Sequence, residues 1–155
     1  MSTSSSPGDM NWIELVENSD SLTKMYGGKV PSLLELNLHE IELHRDGPTL
    51  KLRFNLNSFP ENPPIKWTME NCNTVQIELE LRPVADATIN GIHNISVVDI
   101  DISPVTLNDV DVIRVRTTGK STSQIDAIGE RIHLSKVSAY YIQNKPSEPD
   151  QHSPD

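Results

Sequence analysis

The stretch LELNLHEIELHRDGPTLKLRFNLNSFPENPPIKW, residues 34–67 of the 155-residue chain, decides how the rest folds. It reads as two strands joined by a tight reversal and followed by a proline-rich segment that ends on Trp67. From Leu50 to Leu56 every second residue is leucine or phenylalanine, which puts apolar side chains on one face of a strand. Lysine, arginine and asparagine fill the alternate positions. We therefore predict one buried and one solvated face.

The two strands of this stretch can be aligned residue against residue. If His44 lies opposite Thr49, each following pair matches acid with base or apolar with apolar. These pairs are Leu43 with Leu50, Glu42 with Lys51, Ile41 with Leu52, and Glu40 with Arg53. The alternation changes phase at residues 39–40, which predicts a β-bulge there and Leu38 opposite Leu56.

The reversal between the strands is constrained by a proline. A two-residue turn on Asp46-Gly47 needs the backbone amide of residue 48 as a donor, and Pro48 has none. A four-residue loop over residues 45–48 keeps the register without that bond. Further along, the prolines of residues 58–64 predict a rigid connector, and we expect Trp67 to pack under it.

Composition limits the class of protein. Cys72 is the single cysteine, so the chain can form no internal disulfide and no cysteine-based zinc site, which favours a reduced, cytoplasmic compartment. We find no signal segment and no apolar run of the roughly 18 residues that a membrane span needs. The net charge of −9 argues against sequence-independent nucleic-acid binding. Such acidity speeds encounter with a basic partner, although it also keeps many domains soluble.

The chain outside the opening stretch predicts one domain at residues 11–142, with disordered tails at 1–10 and 143–155. One short helix should begin at Ser19 or Asp20 and stop at Gly27. Further strands are expected at 73–81 closed by Pro83, at 88–103 as one strand or a pair broken at Gly91, and at 123–128 and 131–141 divided at 129–130, with a turn at 117–120. The sum is a mostly β protein, an antiparallel β-sandwich or flattened barrel of about seven to eight strands with one short N-terminal helix.

A second hairpin carries the candidate site. If Asp99 faces Asp111, the apolar residues of both strands change face at one level, as in a ribbon that bends across the corner of a sandwich. That register gathers four carboxylates on one face: Asp99, Asp101, Asp109 and Asp111. Facing like charges destabilise a sheet, so the cluster suggests a docking face for the cations of a protein partner, or a calcium site. Otherwise the register is wrong, or Arg114, Arg116 or Lys120 relieves the charge.

Other chemistry finds little support in the sequence. The five histidines lack the spacing of a zinc protease, and the chain has no G-x-S-x-G elbow and no glycine-rich phosphate loop. We therefore predict that the protein is not an enzyme and uses no cofactor and no metal.

The turns, prolines and one tryptophan of the chain resemble those of the bacterial immunity protein 50 family over about residues 12–142. The residues that carry this resemblance are Leu43, His44, Arg45, Asp46, Gly47, Pro48, Leu52, Arg53, Phe54, Phe59, Pro60, Pro63, Pro64, Lys66, Trp67 and Asn73 to Gln76, with Tyr26-Gly27 and Ser138 to Tyr140 at the ends. The resemblance implies a small, mostly β protein that binds the active domain of a secreted polymorphic toxin and blocks it. It supplies no catalytic residues.

Three functions follow from these observations. The first is a cytoplasmic immunity protein that neutralises its cognate toxin domain by stoichiometric association, with Asp99, Asp101, Asp109 and Asp111 in contact and no nucleic acid or membrane partner. The alternative is a β-sandwich module for a small ligand or carbohydrate, held in a pocket lined by Trp12, Trp67 or Tyr140. A hydrolase comes third. The toxin's activity and the oligomeric state stay open.

Overall fold

A computed structural model describes residues 11–91, 97–118 and 124–143 of the chain. The predicted N-terminal tail, residues 144–155 of the predicted C-terminal tail and residues 119–120 of the predicted turn lie outside these ranges, whereas residues 117 and 118 of that turn belong to a strand. The elements, in chain order, are α1 (Trp12–Leu15), β1 (Val16–Glu17), α2 (Asp20–Met25), β2 (Leu36–His44), β3 (Thr49–Asn55), α3 (Ile65–Met69), β4 (Thr74–Asn90), β5 (Val97–Leu107), β6 (Val110–Thr118) and β7 (Gln124–Tyr140).

The strands form one ring-like sheet in the order β1-β7-β4-β3-β2-β5-β6, with β6 also pairing back to β7. Every pairing within the ring is antiparallel, and β1 adds to β7 in parallel. Among the described residues, the seam between β2 and β5 consists of two pairs, Leu36–Val98 and Asn37–Val97. The mostly β fold class is confirmed, and the arrangement is consistent with a sandwich or flattened barrel.

The central hairpin forms in the predicted register, from His44 opposite Thr49 to Glu40 opposite Arg53, and the ladder shifts between Leu38 and Glu40 as expected for the bulge. The four-residue loop is also confirmed, because β2 ends at His44 and β3 begins at Thr49. One pairing was wrong: Leu38 lies opposite Phe54 rather than Leu56, since a single extra residue moves the ladder by one position.

The interior of the ring is filled by the apolar residues that alternate along the strands. The predicted inward positions from Leu50 to Leu56 and from Val75 to Leu81 are at most 3% exposed. Leu43, next to the loop of the hairpin, departs from the pattern and is 55% exposed. Leu22 of α2 is fully buried and, with Trp12 and Ile13 of α1, belongs to the same core.

Two strands are longer than predicted. β4 continues through Pro83 to Asn90, and β7 continues through Gly129. Pro83 lies beyond Leu81, the last residue that pairs with β3, so its missing amide removes no hydrogen bond to that strand. Bulges absorb the changes of phase, between Glu78 and Leu79 and between Val84 and Asp86. Strand β4 then ends at Asn90, before Gly91 with φ of 66°, which confirms the broken-pair alternative.

The short helix that begins after Ser19 is confirmed, whereas the expectation of a single helix was wrong. α1 is one turn long, and α3 directly follows the predicted connector at 58–64, in a segment for which the sequence predicted no element. α3 follows Pro64 and ends before Asn71, whose φ of 59° places it in the left-handed region that stops helices. Its apolar residues Ile65 and Met69 face solvent, so the sequence shows no buried helical stripe.

The register predicted for β5 and β6 is wrong. Asp99 pairs with Thr118 instead of Asp111, and Asp111 pairs with Thr106. The chain reverses at Asn108–Asp109, where φ is 50° and 64°. Two consecutive residues of positive φ make a tight turn whose twist suits an antiparallel pair, and Asn and Asp adopt that conformation more readily than other non-glycine residues. No helix in the described residues has the length and apolar character needed to cross a bilayer.

We expect Gly129→Ala to destabilise the fold by about 1–3 kcal/mol through overpacking. A Cβ atom at this position would lie 2.7 Å from Leu81 Cγ and 3.0 Å from the Pro83 carbonyl oxygen. Urea unfolding of the wild type, Gly129→Ala, Leu81→Ala and the double variant measures the effect. The double variant should lose less stability than the sum of the two single changes, and strict additivity would contradict the proposed clash.

Candidate protein-binding surfaces

The four aspartates predicted as a site lie along the whole length of the β5–β6 hairpin. Asp99 and Asp101 lie near the start of β5, whereas Asp109 is in the turn and Asp111 follows it in β6. Asp101 and Asp109 are eight residues apart, which corresponds to about 25 Å along an extended chain. The structure therefore divides the predicted cluster into two pairs.

The first pair is held by bonds within the protein. Asp99 Oδ1 accepts a hydrogen bond of 2.8 Å from the backbone amide of Glu35, where the chain enters β2. Asp101 Oδ2 lies 3.0 Å from the guanidinium of Arg116 on the neighbouring strand. The alternative in which Arg116 relieves the charge is therefore correct for Asp101.

The second pair has no cationic partner within the described part of the chain. Asp109 is exposed, and Asp111 accepts a hydrogen bond of 2.9 Å from the Thr106 hydroxyl across the ladder. In the same described ranges, no group of three His, Cys, Asp or Glu side chains could hold a metal ion.

Next to this pair, one face of the hairpin end is aliphatic. Residues directly opposite in an antiparallel pair point to the same face, so Leu107 and Val110 share a face with Val105 and Val112. Leu107 is 42% and Val110 is 56% exposed, and the two inner valines are half-buried. Sequence reasoning missed this face because it placed the turn elsewhere. The dipeptide Asn108-Asp109 between alternating aliphatic residues was the signal that could have located it.

Behind the hairpin end, β6 is tied to β7 by a bidentate ion pair. Arg114 Nε donates to Asp126 Oδ1 at 2.9 Å, and Nη2 donates to Oδ2 at 2.7 Å. The hydrogen bonds from Arg114 hold the pKa of the Asp126 carboxyl below its ordinary value. This ion pair lies where the hairpin leaves the sheet, because Ile113, the residue before Arg114, is the first residue of β6 that pairs with β7.

The outer face of β2, β3, β4 and β7 is a polar network that bonds to itself. Arg53 donates from Nε to Glu40 Oε1 at 3.0 Å and from Nη1 to Gln76 Oε1 at 3.1 Å. Asn55 Oδ1 accepts hydrogen bonds from Gln76 Nε2 at 3.0 Å and from the Tyr140 hydroxyl at 2.8 Å. Because these groups satisfy one another, this face acts as scaffold, as does the neighbouring Lys51–Glu42 pair at 2.8 Å.

The residues that carried the family resemblance occupy the loop and connector of this scaffold. The loop residues His44, Arg45, Asp46, Gly47 and Pro48 are exposed, Pro60 is buried, and Pro64 directly precedes α3. Trp67 is half-buried in α3, with its ring centroid 6.3 Å from that of Phe59, which agrees with its predicted packing against the connector. His44 Nε2 lies 3.2 Å from Glu42 Oε1, on an exposed strand end rather than in a cleft.

A groove of about 610 Å³ opens between the segment after α2 and the segment after β3. Leu34 and Phe59 form its apolar walls, and the Lys29–Glu61 ion pair of 2.8 Å lies at its rim. Its aromatic lining is Tyr26 and Phe59, whereas the sequence had suggested Trp12, Trp67 or Tyr140. Trp12 is instead buried and donates a hydrogen bond from Nε1 to the Pro31 carbonyl oxygen.

Comparison with known proteins adds one finding. A family model described as immunity protein 50 matches residues 18–140. No curated protein and no solved structure matches the chain.

We expect Asp126→Asn to reduce stability at neutral pH and to lose this effect in acid. The lowered pKa of Asp126 means that its carboxylate stabilises the fold above the ordinary pKa of about 3.9, and that this stabilisation disappears as the pH falls through the folded-state value. The difference in free energy of unfolding between wild type and variant, measured from pH 7 to pH 2.5, should shrink at the acid end. In an Arg114→Gln background the same comparison should show little pH dependence.

We expect Tyr140→Phe to cost about 0.5–1.5 kcal/mol, because it removes a hydroxyl that donates to the buried Asn55 side chain. Tyr141→Phe is the matched control: its side chain is 59% exposed, and the change should stay within about 0.5 kcal/mol. Chemical unfolding of both variants measures the difference. Equal effects of the two changes would show that the network does not stabilise the sheet.

Proposed function

The chain belongs to the immunity protein 50 family, and from that premise we propose that it binds and neutralises a cognate bacterial toxin by stoichiometric protein–protein association. The match over residues 18–140 carries the proposal, because it covers nearly all of the described fold. We further propose that this association takes place in the bacterial cytoplasm, which agrees with the presence of a single cysteine.

In this proposal the protein acts by covering the toxin's active domain and carries out no reaction of its own. A ring of paired strands with a self-satisfied polar face supports such a role. A preorganised surface loses little conformational entropy on association, so more of the contact energy appears as affinity.

We place the contact on the β5–β6 hairpin, which carries Asp99, Asp101, Asp109 and Asp111. The net charge of −9 favours a toxin domain with a basic surface, such as that of a nuclease. Because Asp99 and Asp101 already bond within the protein, Asp109 and Asp111 are the carboxylates that we expect to meet the partner's cations.

The second candidate function, a module for a small ligand or carbohydrate, rests on the groove at Leu34 and Phe59. Its volume of about 610 Å³ lies within the range of sites for small molecules. The ion pair of Lys29 with Glu61 at its rim offers polar contacts to such a ligand.

We expect a toxin to be encoded beside the gene of this chain, and co-expression of the chain to rescue bacterial cells from that toxin and to yield a complex of fixed stoichiometry. The test is growth after toxin induction, followed by co-purification and light scattering of the complex. A toxin variant without activity should still co-purify, because binding requires the surface and not the reaction. An unrelated acidic β-domain expressed at the same level is the control.

Two results would contradict the proposal. The first is growth arrest that persists while both proteins are present and soluble. The second is rescue without any complex, which would point to degradation or modification of the toxin. Failure of rescue together with saturable binding of a sugar that protects Phe59 from solvent would favour the second candidate function.

A further inference from the structure

The end of the β5–β6 hairpin extends beyond its neighbours in the sheet. Among the described residues, β6 pairs with β7 only from Ile113 to Thr117, and β5 pairs with β2 only at Val97 and Val98. The end of the ribbon, from Val105 to Val112, is therefore held by its own two strands. Three residues of β6, Val110 to Val112, or roughly 10 Å of chain, continue past the last pair with β7, and Val105 to Leu107 of β5 lie opposite them.

The end of the β5–β6 hairpin exposes aliphatic side chains on the face that points away from the core. In β5 the buried residues are Val98, Ile100 and Ile102, on the face that points to the core, whereas Leu107 is on the opposite face. In β6, the exposed Val110 and the buried Val115 likewise point to opposite faces. Both strands therefore present aliphatic side chains to the outside at one level, at four positions: Val105, Leu107, Val110 and Val112. We call these four residues the tip face.

Within the described residues the tip face is only partly covered: Leu107 and Val110 are exposed, and Val105 and Val112 are half-buried. None of its four residues belongs to the core cluster or to the half-buried residues that pack against that cluster. A two-stranded ribbon is marginally stable in water, and the valine and leucine at its end leave apolar surface in contact with solvent at a cost in free energy. Their burial in a complex would remove this cost.

The charges around the tip face distinguish between possible occupants. Asp109 lies in the turn beside it, and Asp111, which pairs with Thr106, points to the reverse face of the same hairpin end. Neither has a cationic partner in the described chain, and the whole chain carries a charge of −9. A second copy would bring the same carboxylates of both copies together at a symmetric contact, and like charges there oppose association. A partner with lysine or arginine around an apolar patch fits both features.

We propose that the tip face is the apolar anchor by which this chain holds a basic toxin domain, and that Asp109 in the turn and Asp111 on the reverse face of the same hairpin end form the charged rim of the contact. This inference rests on the proposed function and locates its contact. The apolar anchor and the charged rim affect different rate constants of binding. Apolar anchors that become fully buried slow dissociation, whereas rim charges accelerate association and lose their effect at high salt.

The test compares tip variants with matched variants of the other hairpin. Leu107→Asn and Val110→Asn remove apolar surface at exposed positions, and Leu43→Asn does the same at a residue that is 55% exposed in β2. Asp109→Asn and Asp111→Asn remove the rim charges, and Asp46→Asn removes a charge from the exposed loop between β2 and β3. Asparagine is suitable at position 109 because it tolerates the positive φ of 64°.

Binding of each variant to the inactive toxin domain encoded by the neighbouring gene is measured by surface plasmon resonance at low and high salt. Leu107→Asn and Val110→Asn should each weaken binding by about tenfold, or about 1.4 kcal/mol, mainly through faster dissociation. The double variant Asp109→Asn/Asp111→Asn should slow association at low salt and differ little from wild type at high salt. Leu43→Asn and Asp46→Asn should bind like the wild type.

The outcomes separate this inference from the proposed function. Wild-type binding that all tip variants retain would overturn the tip face and leave the immunity function standing. Absence of wild-type binding would overturn the proposed function and, with it, this contact. A wild-type dimer that Val110→Asn converts to a monomer would assign the face to a second copy and overturn the inference. Thermal unfolding of each variant confirms that lost binding does not reflect lost structure.

Discussion

The whole sheet depends on the pairing of β4 with β7, two strands of 17 residues each that align over almost their full length. Each of these two strands is longer than any other strand of the sheet, so no single neighbour on its other side covers its full length. The first half of β4 pairs with β3, while the first half of β7 pairs with β6 and its second half with β1. The ring closes because the first half of β7 pairs with β6, and β7 changes partner to β1 farther along.

Gly129 and the nearby bulge allow this change of partners. The residue pairs with Val84 on one side and Ile113 on the other, so three strands meet at a position without a side chain. Leu81 fills the space that a Cβ atom would otherwise occupy. The same region determines where the β5–β6 hairpin separates from the sheet. The proposed contact surface is therefore set by packing at a distance from it, in the middle of the longest strand pair.

The sequence predicted the register of two strands correctly where their facing side chains match in charge or in polarity. The register of β2 and β3 was correct because acid met base and apolar met apolar at every pair from Glu40 to Leu43. The β5–β6 hairpin offered many aliphatic residues and no such discrimination, so its register was misplaced and with it the carboxylate cluster. Pro83 and Gly129 indicated strand ends, although tertiary packing places each of them inside a continuous strand.

The parallel addition of β1 to β7 has a consequence for the solution behaviour of the protein. Val16 and Glu17 pair with Ile132 and His133, on the edge of β7 that β6 has left. Without β1, this edge would present unpaired amides and carbonyls, which recruit strands from other chains and promote aggregation. The segment of residues 12–17 thus protects solubility as well as completing the core through Trp12 and Ile13. Removal of this segment would leave a sheet open to intermolecular β-pairing.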